Sequence, residues 1–333
     1  MSPKNLRVVF AIEKPKKVEP GVFHIAETDM PRPADGEVLL KTLYLSCDPY
    51  MILQITGWGR TSAPTEVGRP MHGRAVSEVV ESRNPGFKPG DTVLVPGSHW
   101  AQYTLSTGAD LIKVDAKAIP ASVYIGACGQ PGITAWGGMA DIGRPRPGET
   151  VVVSAAAGAV GSVAGQIARI KGARVVGIAG GADKCAHVVN DLGFAACVDY
   201  RAPDFADALA KQVPNGIDVY FENVGGKVLD TVLPHMNRLS RLPLCGLIAQ
   251  YSTEEVCFRN FNYLMDRAIR LSGFHTSDYV PRRTEIVGEL VGWVKAGELR
   301  YRESIAIGIE NAPKAFMALM GGEKIGKQLI KVA

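Results

Sequence analysis

The chain has 333 residues, of which 46% are hydrophobic and 21% are charged, with a formal net charge of +4. These values describe a globular protein with room for two domains of ordinary size. Basic and acidic residues are intermixed, and no apolar run approaches the roughly 18 residues of a membrane span, so we expect neither a nucleic-acid nor a membrane partner.

The first 120 residues contain short apolar segments bounded by Pro, Gly, Asn or Asp, which predict β-strands. The predicted strands are 8–12, 22–27, 37–46, 74–82, 92–95 and 101–105. Because no helical pattern separates them, this region is expected to form a compact barrel or sandwich. Residues 58–71 are polar and rich in Pro and Gly, which predicts a loop that either faces solvent or covers a cleft.

Beyond residue 119 the pattern becomes helical, with an interruption at 129–132, and strands then alternate with helices. The predicted strands are 151–154, 174–179, 195–198, 217–222, 241–248 and 269–274, and the predicted helices are 160–171, 182–192, 203–212, 225–236 and 281–296. Such alternation is typical of βαβ units and a parallel sheet. The tail after residue 300 reads as strand, helix and strand, and we expect it to return to the first domain.

A turn of small residues follows strand 151–154 and leads directly into a helical pattern. It comprises Ala156, Ala157, Gly158, Ala159, Val160 and Gly161, an A-x-G-x-x-G variant of the dinucleotide fingerprint. Small residues let the backbone approach a diphosphate, and the helix N-terminus offers N–H groups to it. The strand–turn–helix context predicts a dinucleotide site, and the alternative is a purely structural glycine turn.

The end of the second strand indicates which dinucleotide is bound. An NAD site normally places Asp or Glu about 20 residues past the glycines, where it binds the ribose 2′-hydroxyl. Here the strand ends at Ala179, two glycines follow, and the first carboxylate is Asp183, next to Lys184. A missing acid removes repulsion against a 2′-phosphate, and an ammonium group attracts it. The sequence therefore predicts NADP(H) rather than NAD(H).

Several longer motifs carry a family resemblance. They are LSCDPYM (45–51), SAAAGAVGSVAGQIARIKGARVVGIAGGADK (154–184), YFENVGG (220–226), CGLIAQY (245–251) and DRAIRLSGF (266–274). Together they closely resemble the zinc-independent branch of the medium-chain dehydrogenase/reductase superfamily that contains prostaglandin reductases, leukotriene 12-hydroxydehydrogenases and bacterial curcumin reductase-like alkenal (enone) reductases. The resemblance covers nearly the whole chain.

The resemblance implies an α/β fold in two domains. Residues 1–120 and 300–333 would form a GroES-like, β-rich catalytic domain, and residues 121–299 a doubly wound Rossmann domain with a parallel sheet that binds NADP(H). It also implies a homodimer, formed through an edge strand of the Rossmann sheet.

The resemblance also implies roles for the cofactor residues. Lys184 and Tyr200 would hold the 2′-phosphate, with Gly181 in the turn before Lys184, and Gly158 to Val160 would lie on the diphosphate. Asn223 would lie along the path of the nicotinamide ribose. Tyr200 could instead be an ordinary aromatic residue at a strand end, and Asn223 a simple turn residue.

On the substrate side, the resemblance implies that Tyr251 faces the reacting enone and that Tyr50 borders the substrate cleft. Two departures from the family pattern concern this region. The Arg that usually follows D-P-Y-M is Ile52, and the Asn expected near the nicotinamide in the C-terminal motif is Lys324, which we still assign to the cofactor site. We expect these departures to affect substrate preference or rate rather than cofactor binding.

A zinc site drawn from Cys47, His72 and Cys128 is a weak alternative. His72 is followed by Gly73 rather than Glu, and no cysteine lies between Cys47 and Cys128, where zinc-dependent relatives carry four closely spaced cysteines. We therefore expect no metal.

The six cysteines lie far apart, without a C-x-x-C pair, and are expected to pack as reduced thiols. The N-terminal residues contain no apolar segment long enough for a signal peptide. Together these observations predict a cytoplasmic protein.

Without metal or flavin, a nicotinamide hydride adds most easily to the β-carbon of an α,β-unsaturated ketone or aldehyde, because charge then collects on the carbonyl oxygen. The phenol of Tyr251 is the candidate catalytic donor to that oxygen. Two alternatives stay open: a quinone reductase of the same superfamily, and a protein that binds NADPH as a sensor without turnover.

Overall fold

The computed structural model of the chain describes residues 4–13, 15, 18–56, 66–251 and 258–333. The backbone forms two compact units. The first unit comprises Met1–Gly126 and Glu303–Ala333, and the second comprises Ala127–Arg302. Among the described helices, none combines the length and apolar character that a membrane span requires.

In chain order the described strands are β1 (Lys4–Phe10), β2 (Phe23–Asp29), β3 (Val38–Ser46), β4 (His72–Ser82), β5 (Thr92–His99), β6 (Tyr103–Ser106), β7 (Ile112–Lys113), β8 (Thr150–Ser154), β9 (Arg174–Ala179), β10 (Ala196–Asp199), β11 (Ile217–Phe221), β12 (Met236–Leu244), β13 (Arg270–Gly273), β14 (Glu303–Ile307) and β15 (Lys327–Lys331). The described α-helices are α1 (Met51–Thr56), α2 (Gln130–Trp136), α3 (Gly161–Ile170), α4 (Ala182–Asn190), α5 (Phe205–Gln212), α6 (Gly226–Val232), α7 (Asn262–Asp266), α8 (Arg283–Lys295) and α9 (Ala312–Met320). A π-helical segment, Gly137–Gly143, continues α2.

The first unit is built on a seven-stranded sheet with the order β14-β15-β3-β4-β5-β7, and β6 also pairs with β3. β15 runs antiparallel to β3, with Leu329 opposite Ser46, so the C-terminal tail adds two strands to the N-terminal sheet. The core of this unit includes Trp100 and Phe316, whose rings pack edge-to-face with centroids 6.2 Å apart.

The second unit contains a six-stranded sheet with the order β10-β9-β8-β11-β12-β13. All its pairings are parallel. The strand interiors are continuous apolar runs, as in β8, where Val151, Val152 and Val153 are fully buried, because both faces of a parallel sheet are covered by helices. The order reverses between β8 and β11, which makes this a doubly wound Rossmann sheet and confirms the predicted fold class.

Two predicted boundaries in the second unit are wrong. The helix predicted over 225–236 is α6 and ends at Val232, because Pro234 has no N–H with which to continue it. The strand predicted over 241–248 is β12, which starts at Met236 and ends at Leu244. Its early start is fixed by pairing with β11, including a register shift that local periodicity does not reveal.

The interruption predicted at 129–132 is also misplaced, since α2 begins within it at Gln130. Pro131 stands in the first turn, where its missing N–H has no consequence. Gly132 is required inside the helix because a Cβ there would lie 1.8 Å from the carbonyl oxygen of Ala127. Most of the predicted loop 58–71 lies outside the described residues, as does Cys257.

Candidate active site

The small-residue turn after β8 brings the start of α3 close to the strand. The N–H of Ala156 bonds to the carbonyl oxygen of Ile178 on β9 at 3.0 Å, and the N–H of Gly158 bonds to that of Ala155 at 2.9 Å. A Cβ on Gly161 would lie 2.4 Å from the oxygen of Ala155. Only glycine therefore allows the helix to begin so close to the strand.

The residues Gly158, Ala159 and Val160 are half-buried at the top of this turn. Their backbone N–H groups precede the first turn of α3. Because α3 runs for ten residues from Gly161, its N-terminal dipole points at the same place. Such a cradle of backbone N–H groups fits a diphosphate.

A second turn lies at the end of β9. The carboxylate of Asp199, at the end of β10, accepts hydrogen bonds of 2.9 Å from the N–H groups of Gly181 and Arg201. These bonds, with that from Gly181 first, lower the pKa of Asp199. Tyr200 lies against the turn, since a Cβ on Gly180 would be 2.8 Å from its ring. Asp199 therefore links the end of β10 to the turn that follows β9.

Two cations meet at this turn. Burial lowers the pKa of Lys184, and the positive charge of Arg201 lowers it further. Arg201 is exposed, and the carbon of its guanidinium group lies 5.7 Å from the centroid of the Tyr200 ring. The structure therefore brings Lys184, Tyr200 and Gly181 together and adds Arg201, which the sequence analysis missed. Mutually repelling cations beside a glycine turn fit a phosphate group.

The carboxyl ends of β8 and β11 are joined by side chains. The N–H of Asn223 donates to the hydroxyl oxygen of Ser154 at 2.8 Å, and its side-chain amide donates to the carbonyl oxygen of Ser154 at 2.7 Å. Ser154 in turn donates to the buried carboxylate of Glu222 at 2.8 Å. Asn223 is therefore held in one orientation by β8.

The loop that carries Tyr251 packs on the Asn223 loop. The N–H of Ile248 bonds to the carbonyl oxygen of Asn223 at 3.2 Å, and that of Ala249 bonds to Val224 at 2.9 Å. The hydroxyl of Tyr251 lies beside Gly246, at 3.2 Å from the position of a Cβ there. Burial raises the pKa of Tyr251 above its ordinary value of 10.0, so the phenol keeps its proton at neutral pH.

Gln250, in the same loop, is another residue that the sequence analysis missed. Its side chain is 6% exposed, and no residue that the structure describes forms a hydrogen bond with its amide nitrogen or its amide oxygen. The amide nitrogen would lie 3.1 Å from a Cβ on Gly225. A buried amide without a partner is costly unless a ligand completes it. This orphaned amide, the N–H cradle and the cation pair together fit a phosphorylated dinucleotide.

In the first unit, Tyr50 lies just before α1 and is held by Arg74 from β4. Nη1 of Arg74 donates to the hydroxyl oxygen of Tyr50 at 2.6 Å. Burial raises the pKa of Tyr50 to about 12, the nearby charge of Asp48 adds to this, and Arg74 opposes it. Lys324, also in the first unit, is half-buried in the turn between α9 and β15.

The three residues of the alternative zinc site, Cys47, His72 and Cys128, differ in their burial. Cys47 and Cys128 are buried, and burial raises the pKa of each thiol to about 12. His72 is exposed and its ring lies 4.5 Å from that of His99. Over the ranges that the structure describes, no group of three or more His, Cys, Asp or Glu residues is arranged to hold a metal ion.

Comparisons with known proteins agree with this geometry. The family model described as the N-terminal domain of oxidoreductase matches residues 12–114, and that described as zinc-binding dehydrogenase matches residues 159–293. An NADPH-dependent curcumin reductase of Escherichia coli (strain K12) is 44% identical over 99% of this chain and 97% of its own. A 2-alkenal reductase (NADP(+)-dependent) of Nicotiana tabacum is 41% identical over 90% of this chain and 88% of its own.

Among solved structures, that of CurA from Vibrio vulnificus in complex with NADPH has a TM-score of 0.93 and 40% sequence identity, covering 98% of this chain and 99% of that one. The resemblance inferred from the motifs is therefore confirmed. The chain belongs to the medium-chain dehydrogenase/reductase superfamily, in the branch of the curcumin and alkenal reductases.

Proposed function

We propose that this protein uses NADPH to reduce the carbon–carbon double bond of α,β-unsaturated ketones and aldehydes, by hydride transfer to the β-carbon and without a metal. The observation that carries the proposal is the pair of Lys184 and Arg201 at the Gly180–Gly181 turn, where an NAD enzyme would present a carboxylate. The E. coli and Nicotiana relatives named above are described as NADPH-dependent curcumin and 2-alkenal reductases, which supports the substrate class.

In the cofactor site, the backbone from Ala156 to Gly161 would cradle the diphosphate. Lys184, Tyr200 and Arg201 would bind the 2′-phosphate at the turn formed by Gly181. Asn223 would lie along the nicotinamide ribose, and Lys324 is proposed near the nicotinamide. When bound, NADPH supplies the hydride that the chain's own residues cannot provide.

The protein has to stabilise the negative charge that develops on the carbonyl oxygen of the enone. The protonated phenol of Tyr251 donates a hydrogen bond to that oxygen as the enolate forms. A proton from solvent then completes the saturated product at the α-carbon. Tyr50 borders the bound substrate and fixes its polar end through the hydroxyl that Arg74 orients.

Reaction without a metal is also part of the proposal. It is supported by the sequence around His72, which is followed by Gly73 rather than by the Glu of the zinc-dependent motif. Stoichiometric zinc in the purified protein, together with loss of activity on chelation, would contradict it.

An NADPH-oxidation assay across alkenals, cyclic enones, bulky dienones and a simple quinone tests the function. We expect turnover with the enones and alkenals, and weaker turnover with the quinone. Faster reaction with the quinone would favour the quinone-reductase alternative. Binding of NADPH without oxidation by any acceptor would favour the sensor alternative.

We propose further that the protein is a cytoplasmic homodimer. β13 is the terminal strand of its sheet, and Leu271 on it is 37% exposed, as expected of an edge available to a second copy. The five cysteines among the described residues are free thiols, which suits a reducing compartment. Sedimentation analysis at micromolar concentration would test the dimer, and a monomer would refute it.

A further inference from the structure

A buried carboxylate lies at the point where the strand order of the second unit reverses. In doubly wound sheets, ligands bind outside the carboxyl ends of the strands at this switch point, here between β8 and β11. Glu222 directly follows β11 and is fully buried. The hydroxyl of Ser154, the last residue of β8, donates to its Oε1 at 2.8 Å. Glu222 therefore connects the two strands that flank the expected cofactor crevice.

The hydrogen bonds of Glu222 stabilise its ionised form. Oε1 accepts from Ser154 and from the N–H groups of Val224 and Gly225. Oε2 accepts from the hydroxyl of Tyr220 at 2.6 Å. The two backbone N–H groups can only donate, and the two hydroxyl groups can donate as well, so all four partners can stabilise a carboxylate. Burial raises the pKa of Glu222, and these donors oppose the rise.

This carboxylate has no counter-ion within the described part of the chain. No Lys, Arg or His there forms an ion pair with it, and the partners that offset its burial are neutral donors. A buried charge without an opposite charge is costly. Residues of this kind are concentrated at functional sites, where a ligand supplies what the protein lacks.

The proposed reaction creates a positive charge that Glu222 can stabilise. Breaking the C4–H bond of the dihydropyridine ring sends its electron pair to the β-carbon of the enone, and the π pair moves to the carbonyl oxygen. The ring is left as a cation. We propose that Glu222 is ionised and supplies the buried negative charge that stabilises this cation, so that the protein favours the oxidised over the reduced cofactor. The inference rests on the NADPH part of the proposed function.

A purely structural role for Glu222 predicts something different. The carbonyl oxygen of Glu222 accepts from the N–H groups of Cys245 and Gly246, and its side chain holds Val224 and Gly225, so it also shapes two loops. Loss of that support would weaken both cofactor forms alike. If the role is electrostatic, loss of the charge weakens the binding of NADP⁺ and leaves the binding of NADPH nearly unchanged. The two forms differ in the charge of the nicotinamide ring, whereas the repulsion between Glu222 and the phosphate groups is the same for both.

The test is the ratio of the two dissociation constants in Glu222→Gln, measured by calorimetric titration of the full-length protein without an enone. Gln keeps the shape and the acceptor oxygen but removes the charge, and we expect NADP⁺ binding to weaken about tenfold relative to NADPH binding. Tyr220→Phe is the matched control, since it removes one hydrogen bond from the same carboxylate but leaves its charge. In the control, the ratio should equal that of the wild type. An unchanged ratio in Glu222→Gln, or a parallel loss of both affinities, overturns the proposal.

If Glu222→Gln does not fold, the wild-type ratio is measured against pH. The titratable groups facing Glu222 are Tyr220 and Cys245, and burial raises the pKa of both thiol and phenol well above neutrality. The relative affinity for NADP⁺ should therefore fall on acidification as Glu222 protonates. A ratio that stays constant over the whole pH range in which the protein remains folded overturns the proposal.

The outcomes also separate this inference from the proposed function. A protein that shows the expected ratio but reduces no enone refutes the proposed function alone, and a protein that binds neither cofactor form refutes both.

Discussion

Arg74 on β4 donates a hydrogen bond of 2.6 Å from Nη1 to the hydroxyl oxygen of Tyr50. A guanidinium group has no acceptor, so the Tyr50 oxygen must accept, and its own proton points elsewhere. The family position that usually holds Arg is the buried Ile52. In this chain, the cation that orients Tyr50 comes from strand β4.

The first prediction tests whether Arg74 acts through Tyr50. Arg74→Gln should raise the KM for an enone about tenfold, because the Tyr50 proton is no longer directed, with little change in NADPH affinity. Tyr50→Phe should have a similar effect, and the double variant should be no worse than Tyr50→Phe alone. Steady-state kinetics measure this, with Arg83→Gln as a control for loss of one positive charge. Additive effects in the double variant would show that the two residues act independently.

The second prediction concerns the 2′-phosphate. Arg201→Ala and Lys184→Ala should each raise the Kd for NADPH roughly tenfold, because each removes a charge-assisted contact, while the weak binding of NADH stays the same. Fluorescence titration with both cofactors measures the change. Lys211→Ala removes an exposed charge from α5 and serves as the control. Equal weakening of NADH and NADPH by Arg201→Ala would exclude a phosphate contact.

The third prediction concerns Tyr251. Tyr251→Phe should lower kcat on an enone roughly 100-fold, as expected for loss of one donor to a developing oxyanion, and should leave NADPH affinity almost unchanged. Because burial raises the pKa of this phenol, no alkaline loss of rate is expected below the ordinary value of 10.0. Rates and titrations are compared with those of Tyr103→Phe, which removes a hydroxyl from β6. An unchanged kcat would remove Tyr251 from the mechanism.

The cofactor turn was predictable because its elements are adjacent in sequence. An apolar strand, the small residues Ala156 to Gly161 and a helical pattern suffice to predict the strand–turn–helix unit that we assign to the diphosphate. The absence of an acidic residue directly after Ala179 can likewise be seen in the sequence itself. These features need no knowledge of which strands become neighbours.

The other site residues depend on contacts between distant parts of the chain. Arg201 reaches the Gly181 turn only because β10 pairs with β9, and Asp199 then bonds to the N–H of Gly181. Gln250 was missed because only the fold shows that its amide is buried without a hydrogen-bond partner among the described residues. The start of β12 was missed because pairing with β11 overrides the local pattern. Propensity and spacing carry no information about such pairings.

The fourth prediction concerns the buried ion pair between Lys327 and Asp48, the first residue of the D-P-Y-M segment. Nζ of Lys327 on β15 donates to Asp48 at 2.8 Å and to the carbonyl oxygen of Cys47 at 2.5 Å, and Lys327 is 4% exposed. Asp48→Asn should destabilise the protein by about 3–5 kcal/mol, because it removes the carboxylate that forms the ion pair with the buried ammonium. The double variant Asp48→Asn/Lys327→Met should recover part of this loss. Urea unfolding at neutral pH measures the effect, and Asp29→Asn, at an exposed pair with Lys4, is the control.

The same pair gives a pH dependence with a defined sign. Burial opposes ionisation of Asp48, but Lys327, Arg74 and the hydroxyl of Ser46 outweigh it, so the pKa lies below its ordinary value of 3.8. A carboxylate whose pKa is lower in the folded state stabilises the fold above the pKa of the unfolded chain. That stabilisation is lost as pH falls through the folded value. The stability gap between wild type and Asp48→Asn should therefore be constant from pH 8 to about pH 5 and shrink in more acidic solution. A gap that grew on acidification would mean that Asp48 is protonated in the folded protein, and the ion pair would have to be abandoned.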